Sequence, residues 1–439
     1  MIDNNMEVLY NCYTELLNFR RYIVLVIKNL TNGIKIIFDP IESANSACVG
    51  FFIKAGSIDE EDSNRGISHI IEHMVFKGTK DRTAIELSEE FDSLGISINA
   101  FTSEECTCFY AKSLPENLLK AIELYSDMLM HPLFDKKELS RELKVILEEY
   151  NMYRNNPSSH ASSLFTSEIM KGTSFEVDII GTKKSIKSTT REKIVDYYKN
   201  HYCNENCVIC ITGKYNEQAV YDYLEQNFTL FDRVNDRQTV LDYGKGSYQS
   251  YVKDDTEQSY IFCGTHIFGG QDDRVDAIGI LSTLMGGSMS SRLFKSIREE
   301  QGLAYSVGSR VEFYGETGLF MISAGVSNDK VEDTIKSIQT EIEKLKDFSF
   351  TETEFLKAKN LYKSESIFDF EEMHHRMVEI GTGVLLDNNE DTIEDMIRKI
   401  DAVTYKDVKA VQDLITNISD YTWLIYSDRE YFVDRILED

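Results

Sequence analysis

The stretch Gly66-Ile67-Ser68-His69-Ile70-Ile71-Glu72-His73-Met74-Val75-Phe76-Lys77-Gly78 carries two patterns at once. On a helix, residues three and four apart share a side, so His69, Glu72 and His73 converge while Ile67, Ile70, Ile71 and Met74 form an opposing apolar stripe. One face suits chemistry, the other a core. Two imidazoles at i and i+4 can hold one Zn²⁺, and a glutamate one residue before the second histidine reaches past the metal toward a bound water. The order H-x-x-E-H inverts the commoner H-E-x-x-H zinc helix. The plain competitor, two core histidines beside a solvated glutamate, requires this pattern to arise by accident in a chain with only 8 His.

Two histidines leave a tetrahedral catalytic zinc one protein ligand short, and a carboxylate from elsewhere normally fills the place. The segment after Asp135 offers one. From Glu138 to Tyr153 the apolar face is Leu139, Leu143, Ile146 and Tyr150. At about 100° per residue, Glu142 and Glu149 stack on the margin of that face, whereas Glu148 points away into solvent. Spacing prefers Glu149 or Glu142 and leaves the choice between them open.

Further out, strands are expected at Tyr22–Leu30, Gly33–Asp39 (after a Thr31-Asn32-Gly33 turn), Ala47–Ala55, Ile96–Phe101 and Cys106–Lys112. Helices are expected at Ala84–Leu94, stopped by Gly95, and around Leu118, Ile122, Tyr125 and Leu129. The second half repeats this pattern at a shift of about 213 to 216 residues. Cys108-Phe109-Tyr110-Ala111 lies over Met321-Ile322-Ser323-Ala324; Leu118, Ile122, Tyr125 and Leu129 lie over Val331, Ile335, Ile338 and Ile342; Ile186, Thr190 and Ile194 lie over Ile400, Thr404 and Val408. The metal motif is not repeated, for Ala277 to Leu284 is apolar and without histidine. The division is therefore an extension, 1–21, with leucines at helical spacing; a zinc-binding domain, 22–231; a polar linker, 232–246; and a second domain without metal, 247–439.

The 439 residues exceed one ordinary core and suit two domains. With 42% apolar and 28% charged residues the chain is globular, and a net charge of −27 argues against nucleic acid, which needs a basic footprint. No apolar run is long enough for a bilayer and no export signal is visible, so neither membrane nor secretion is expected. The 8 cysteines are scattered rather than set in a short disulfide framework, which suggests a reducing, cytoplasmic setting. His201, Cys203, Cys207 and Cys210 resemble a metal cluster only on paper, because strand alternation sends Cys207 and Cys210 to opposite faces.

Taken together, the chain from about Tyr22 onward resembles the insulinase/pitrilysin family of zinc metallopeptidases, and within it the bacterial relatives of the mitochondrial processing peptidase β subunit. The resemblance rests on Lys54-Ala55-Gly56-Ser57, the helix Gly66 to Gly78, Asn99-Ala100-Phe101-Thr102, Leu147-Glu148-Glu149 with Met152-Tyr153, and Ser291-Arg292-Leu293-Phe294 through Gly302-Leu303-Ala304-Tyr305. It implies His69, His73 and Glu149 as ligands of one Zn²⁺, Glu72 as general base toward a zinc-bound water, and Glu142 as a supporting glutamate. Asn99 and Ala100 would belong to a substrate-binding edge strand, and Arg298 and Tyr305 would reach the substrate from the second domain.

The fold implied is α+β: two homologous α/β domains, each an antiparallel sheet covered by helices on one face, forming a clam-shell chamber. The activity implied is that of a zinc endopeptidase hydrolysing peptides or unfolded segments. The partner expected is a second copy, with a hetero-dimer possible. The competing reading is a non-catalytic peptide-binding or structural subunit, because relatives exist that have lost metal ligands; here all of them are present. Ser288 departs from the family's frequent third glycine, and residues 1–21 have no counterpart.

Overall fold

The structure, a computed structural model, describes residues 25–233, 237 and 239–438. The helical extension expected at residues 1–21, the start of the Tyr22 strand and part of the linker lie outside them.

The first sheet has the order β1 (Val26–Asn29), β2 (Lys35–Pro40), β6 (Cys207–Gly213), β3 (Ala47–Ile53), β5 (Thr107–Ser113), β4 (Ser97–Thr102). The second has the order β7 (Tyr248–Val252), β11 (Thr422–Ser427), β8 (Ser259–Phe268), β10 (Thr317–Val326), β9 (Ala304–Phe313). Apart from the extra β1, the two orders coincide strand for strand. The aligned repeats fall on matching elements: Cys108 to Ala111 lie in β5 and Met321 to Ala324 in β10, while Thr190 and Thr404 each cap a helix by accepting a backbone N–H.

Both sheets are antiparallel except for one pair each, β2–β6 and β11–β7, which run parallel. This corrects the expectation of fully antiparallel sheets, and the reason is topological. The last strand of each half inserts between two antiparallel neighbours, β2 and β3 or β7 and β8. A strand so placed must run parallel to one of them. Nothing local in the sequence marks that insertion.

On one face of the first sheet lie α1 (Ile67–Val75), α2 (Ala84–Ser93), α3 (Leu118–Met130) and α4 (Lys136–Asn155). Their Ile70, Met74, Phe91, Tyr125 and Ile146 pack with Phe38, Val49, Phe51 and Phe109 of the strands. Thr83 opens α2 with a capping box to Glu86, and Gly95, at φ +63°, follows its end, the two signals expected of that segment.

The opposite face of each sheet is covered too, by a helix lent from the other half. α5 (Pro157–Ile169) of the first half sets Ala161, Phe165 and Ile169 on Phe262, Met321 and Leu424 of the second sheet. In the second half, α6 (Val275–Gly286) and α7 (Val331–Phe348) build their own core on the facing side. Then α8 (Met373–Thr382), with the turn Gly383–Asp387, crosses back and lays Met377, Ile380 and Val384 on Ile37, Phe52, Cys108 and Cys210 of the first sheet. The approach is close: a Cβ on Gly381 would stand 2.3 Å from the Phe52 ring. Arg376 of α8 reaches Asp39 of β2 through two hydrogen bonds of 2.5 Å, and both side chains are buried. Cys207 and Cys210 pack on opposite faces, as alternation requires.

Candidate metal centre

The chain enters α1 through Gly66 at φ +86°, where a Cβ would stand 2.5 Å from the Ile180 carbonyl oxygen. Only glycine fits. Glu60 then caps the helix: the N–H of Gly66 donates to its Oε2 at 2.6 Å and that of Ser68 to its Oε1 at 2.9 Å. A carboxylate meeting the unsatisfied N–H groups of a helix start is well placed electrostatically. With the axis so fixed, Ile67, Ile70, Ile71 and Met74 are buried while His69, Glu72 and His73 remain partly open.

Across from them α4 presents Glu149 and Glu142. Glu149 Oε2 lies 3.8 Å from His69 Nε2 and 3.5 Å from His73 Nε2. Glu142 Oε1 lies 3.0 Å from His73 Nδ1, and its Oε2 holds Lys77 at 2.8 Å. The spacing argument left two carboxylates open. The structure gives them different places, Glu149 beside both imidazoles and Glu142 behind one of them.

The donor set fits a zinc ion. Donors about 2.1 Å from a tetrahedral zinc stand about 3.4 Å apart, close to the separations found here. His69 Nε2, His73 Nε2 and Glu149 Oε2 converge; the grouping of His69, His73 and Glu149 lies within 4.8 Å. A bond from His73 Nδ1–H to Glu142 leaves Nε2 with its lone pair directed at the site, the usual arrangement behind a metal-bound imidazole.

Electrostatics agree. Burial, then the neighbouring His73, pushes the His69 imidazole down to about 4, so it is neutral and able to coordinate at neutral pH. For His73 burial acts downward too, but the bonds to Glu142 and Glu149 outweigh it and raise it to about 9. Two carboxylates facing one imidazole favour positive charge at this place, which a bound metal cation would also supply. Burial raises Glu72, while the Thr102 hydroxyl, donating to its Oε2 at 2.5 Å, and His73 pull it back.

Asn99 and Ala100 lie on β4, the outer strand of the first sheet, so one side of their backbone is free for pairing. Arg298 and Tyr305 belong to the second half: the Arg298 guanidinium lies over the Phe294 ring, and Tyr305, 61% exposed on the edge strand β9, meets Ser327. Both partners belong to the second half. A cleft of about 520 Å³ opens between the halves, lined by Tyr153, one turn beyond Glu149, by Glu104 and Asp178, and by Arg310 and Ser323 of the second half.

Sequence reading missed Glu60 and Lys77. Lys77 was within reach, four residues beyond His73 on the same face. Glu60 was not, because its loop has no periodicity to read. Glu372, His374 and His375 also bring three donors within 4.8 Å at the start of α8. There the helix N-terminus and Lys112, 3.7 Å from Glu372, oppose a cation.

Residues 35–183 match the family model described as insulinase (peptidase family M16), and residues 188–362 the one described as the peptidase M16 inactive domain. An uncharacterized zinc protease of Bacillus subtilis is 31% identical over 381 residues, covering 87% of this chain and 93% of that protein. The chain belongs to the insulinase family of zinc proteases. Another family relative, an uncharacterized zinc protease of Rickettsia felis, is 32% identical over 81% of this chain and 86% of its own length. Among solved structures, a protease from Helicobacter pylori superposes with a TM-score of 0.85 at 22% identity, over 92% of this chain and 99% of that one, and so shares the fold. The region matched by the model described as an inactive domain contains none of His69, Glu72, His73 and Glu149. Among the described residues, no helix is long and apolar enough to cross a membrane.

Proposed function

We propose that the chain is a zinc-dependent endopeptidase that hydrolyses peptides or unfolded segments. One observation carries the reading: His69, His73 and Glu149 converge within 4.8 Å, and Glu72 stands between the two histidines on the same helix. His69, His73 and Glu149 hold one metal ion, and Glu142 orients His73. When bound, zinc supplies a Lewis acid that brings the pKa of a water to about 7 and polarises a carbonyl.

The remaining work falls to the protein. The peptide lies extended along the free edge of β4 at Asn99 to Thr102, so its backbone rather than its sequence supplies affinity. The Glu72 carboxylate takes a proton from the attacking water as that oxygen bonds to the scissile carbon. It then returns the proton to the leaving nitrogen as the C–N bond breaks. Arg298 and Tyr305 contact the substrate from the second half. Because this chain carries both the metal half and the half with Arg298 and Tyr305, a homodimer can be active without a different subunit. The described cysteines are free and buried, which suits a reducing, cytoplasmic setting.

Peptide-library digestion read by mass spectrometry tests the proposal, with Glu72→Gln as the blank. Cleavage by the wild type alone is expected. A folded, zinc-loaded protein that cuts nothing would move the reading to a binding subunit, or to an enzyme that needs a different partner.

A further inference from the structure

We propose that Thr102 is a positioning residue for Glu72: from the end of the edge strand its hydroxyl aims the base, joining the seating of a peptide on β4 to the readiness of the carboxylate. This role rests on Glu72 being the base and on β4 being the peptide-binding edge.

Side chains alternate along β4. Ile98 and Ala100 pack toward the first core, and Phe101 packs on the opposite face. Thr102 continues the row of Ile98 and Ala100, at its end, where α1 crosses the strand. There its Oγ1 donates to Glu72 Oε2 at 2.5 Å.

The second half supplies an internal control. By cross-strand partner, Ile98 opposite Ala111, Ala100 opposite Phe109 and Thr102 opposite Thr107 correspond to Val307 opposite Ala324, Ser309 opposite Ile322 and Val311 opposite Phe320. Valine thus stands at the place of Thr102, and α6 beside that strand carries no glutamate in its buried run. Threonine and valine have nearly the same shape; the hydroxyl is what differs. It appears in the half where a carboxylate faces the strand.

A hydroxyl also suits the chemistry. It can donate to a carboxylate and, once that group carries a proton, accept from it, so the contact survives both halves of the proton transfer. Bonded through Oε2, Glu72 keeps Oε1 free for the water. A side chain that only donates, such as lysine, would hold the base in one charge state.

The test compares kcat and KM for wild type, Thr102→Val, Thr102→Ser and Glu72→Gln on one cleaved peptide, with zinc content and a crystal structure of the Thr102→Val protein. Thr102→Val is expected to lower kcat about tenfold with KM within about twofold. Zinc content should match wild type, Thr102→Ser should restore most of the rate, and the Glu72 carboxylate should leave its observed position in the valine structure. A kcat equal to wild type in Thr102→Val, or a loss confined to KM, would overturn the positioning role while leaving Glu72 as the base. Turnover by Glu72→Gln would instead overturn the base itself, and Thr102's role with it.

Discussion

α1 and α6 stand at corresponding places in two sheets of the same strand order, yet they do opposite things. α6 is buried on every side from Ala277 to Met285. α1 buries Ile67, Ile70, Ile71 and Met74 and leaves His69, Glu72 and His73 in a gap that α4 closes with two carboxylates. The difference teaches that the fold needs a helix at this place but no chemistry there. A candidate metal site arises where one face of that helix is withdrawn from the core and given donors.

The sharpest way to separate the two helices is to injure each in kind. Glu72→Gln should lower kcat by about 10²- to 10⁴-fold while zinc content and Tm stay at wild-type values, since only the proton carrier is lost. Leu281→Ala in α6 should act the other way, costing about 2–5 kcal/mol of stability in a melting experiment and leaving the zinc bound per folded chain unchanged. If Leu281→Ala spared stability, α6 would not be the packing element described here.

The link between the halves comes next. Arg376→Ala leaves Asp39 buried without its partner and should cost about 3–5 kcal/mol in chemical denaturation. Glu142→Gln is a milder change, removing the charge behind His73. Zinc affinity, measured by competition with a chelator, should fall about 10- to 100-fold, and an unchanged affinity would leave Glu142 as a partner of Lys77 alone.

The smallest effect is in the second half, where Arg292 pairs with Glu354 through Nε and Nη2 at 2.8 and 3.1 Å. Burial works against that carboxylate, but Arg292 and the Thr351 cap prevail and lower it from 4.5 to about 2. A folded-state value below the unfolded one means stability that is present above pH 4.5 and lost as pH falls through about 2. Arg292→Gln should therefore lower Tm by a constant amount near neutral pH, and the gap should close in acid. A gap indifferent to pH would mean that Arg292 acts through packing.

Much of this arrangement was legible in the sequence because its signals are local. The histidines and glutamate of α1 sit at one turn's spacing, and the repeat preserves the order of apolar positions. The choice between Glu142 and Glu149 was not legible. Residues seven apart share a helix face, and which one reaches both imidazoles depends on how α4 crosses α1, which no periodicity records. The parallel strand pairs and the lent helices were hidden for a related reason. Met377 and Ile380 read as one face of an amphipathic helix, but that face meets Phe52, more than three hundred residues earlier.

That exchange of helices sets a schedule for the newborn chain. When residues 1–231 have left the ribosome, the first sheet already holds every strand it will have, yet Ile37, Phe52, Cys108 and Cys210 stay open to water until residues 373–387 are made. α5 waits likewise for β8, β10 and β11. A nascent chain paused near the middle of its message exposes two greasy surfaces at once, and those are the surfaces a holding chaperone would grasp. For the same reason a gene truncated to the histidine-bearing half should yield an insoluble product, even though every donor of the metal cluster is encoded in it.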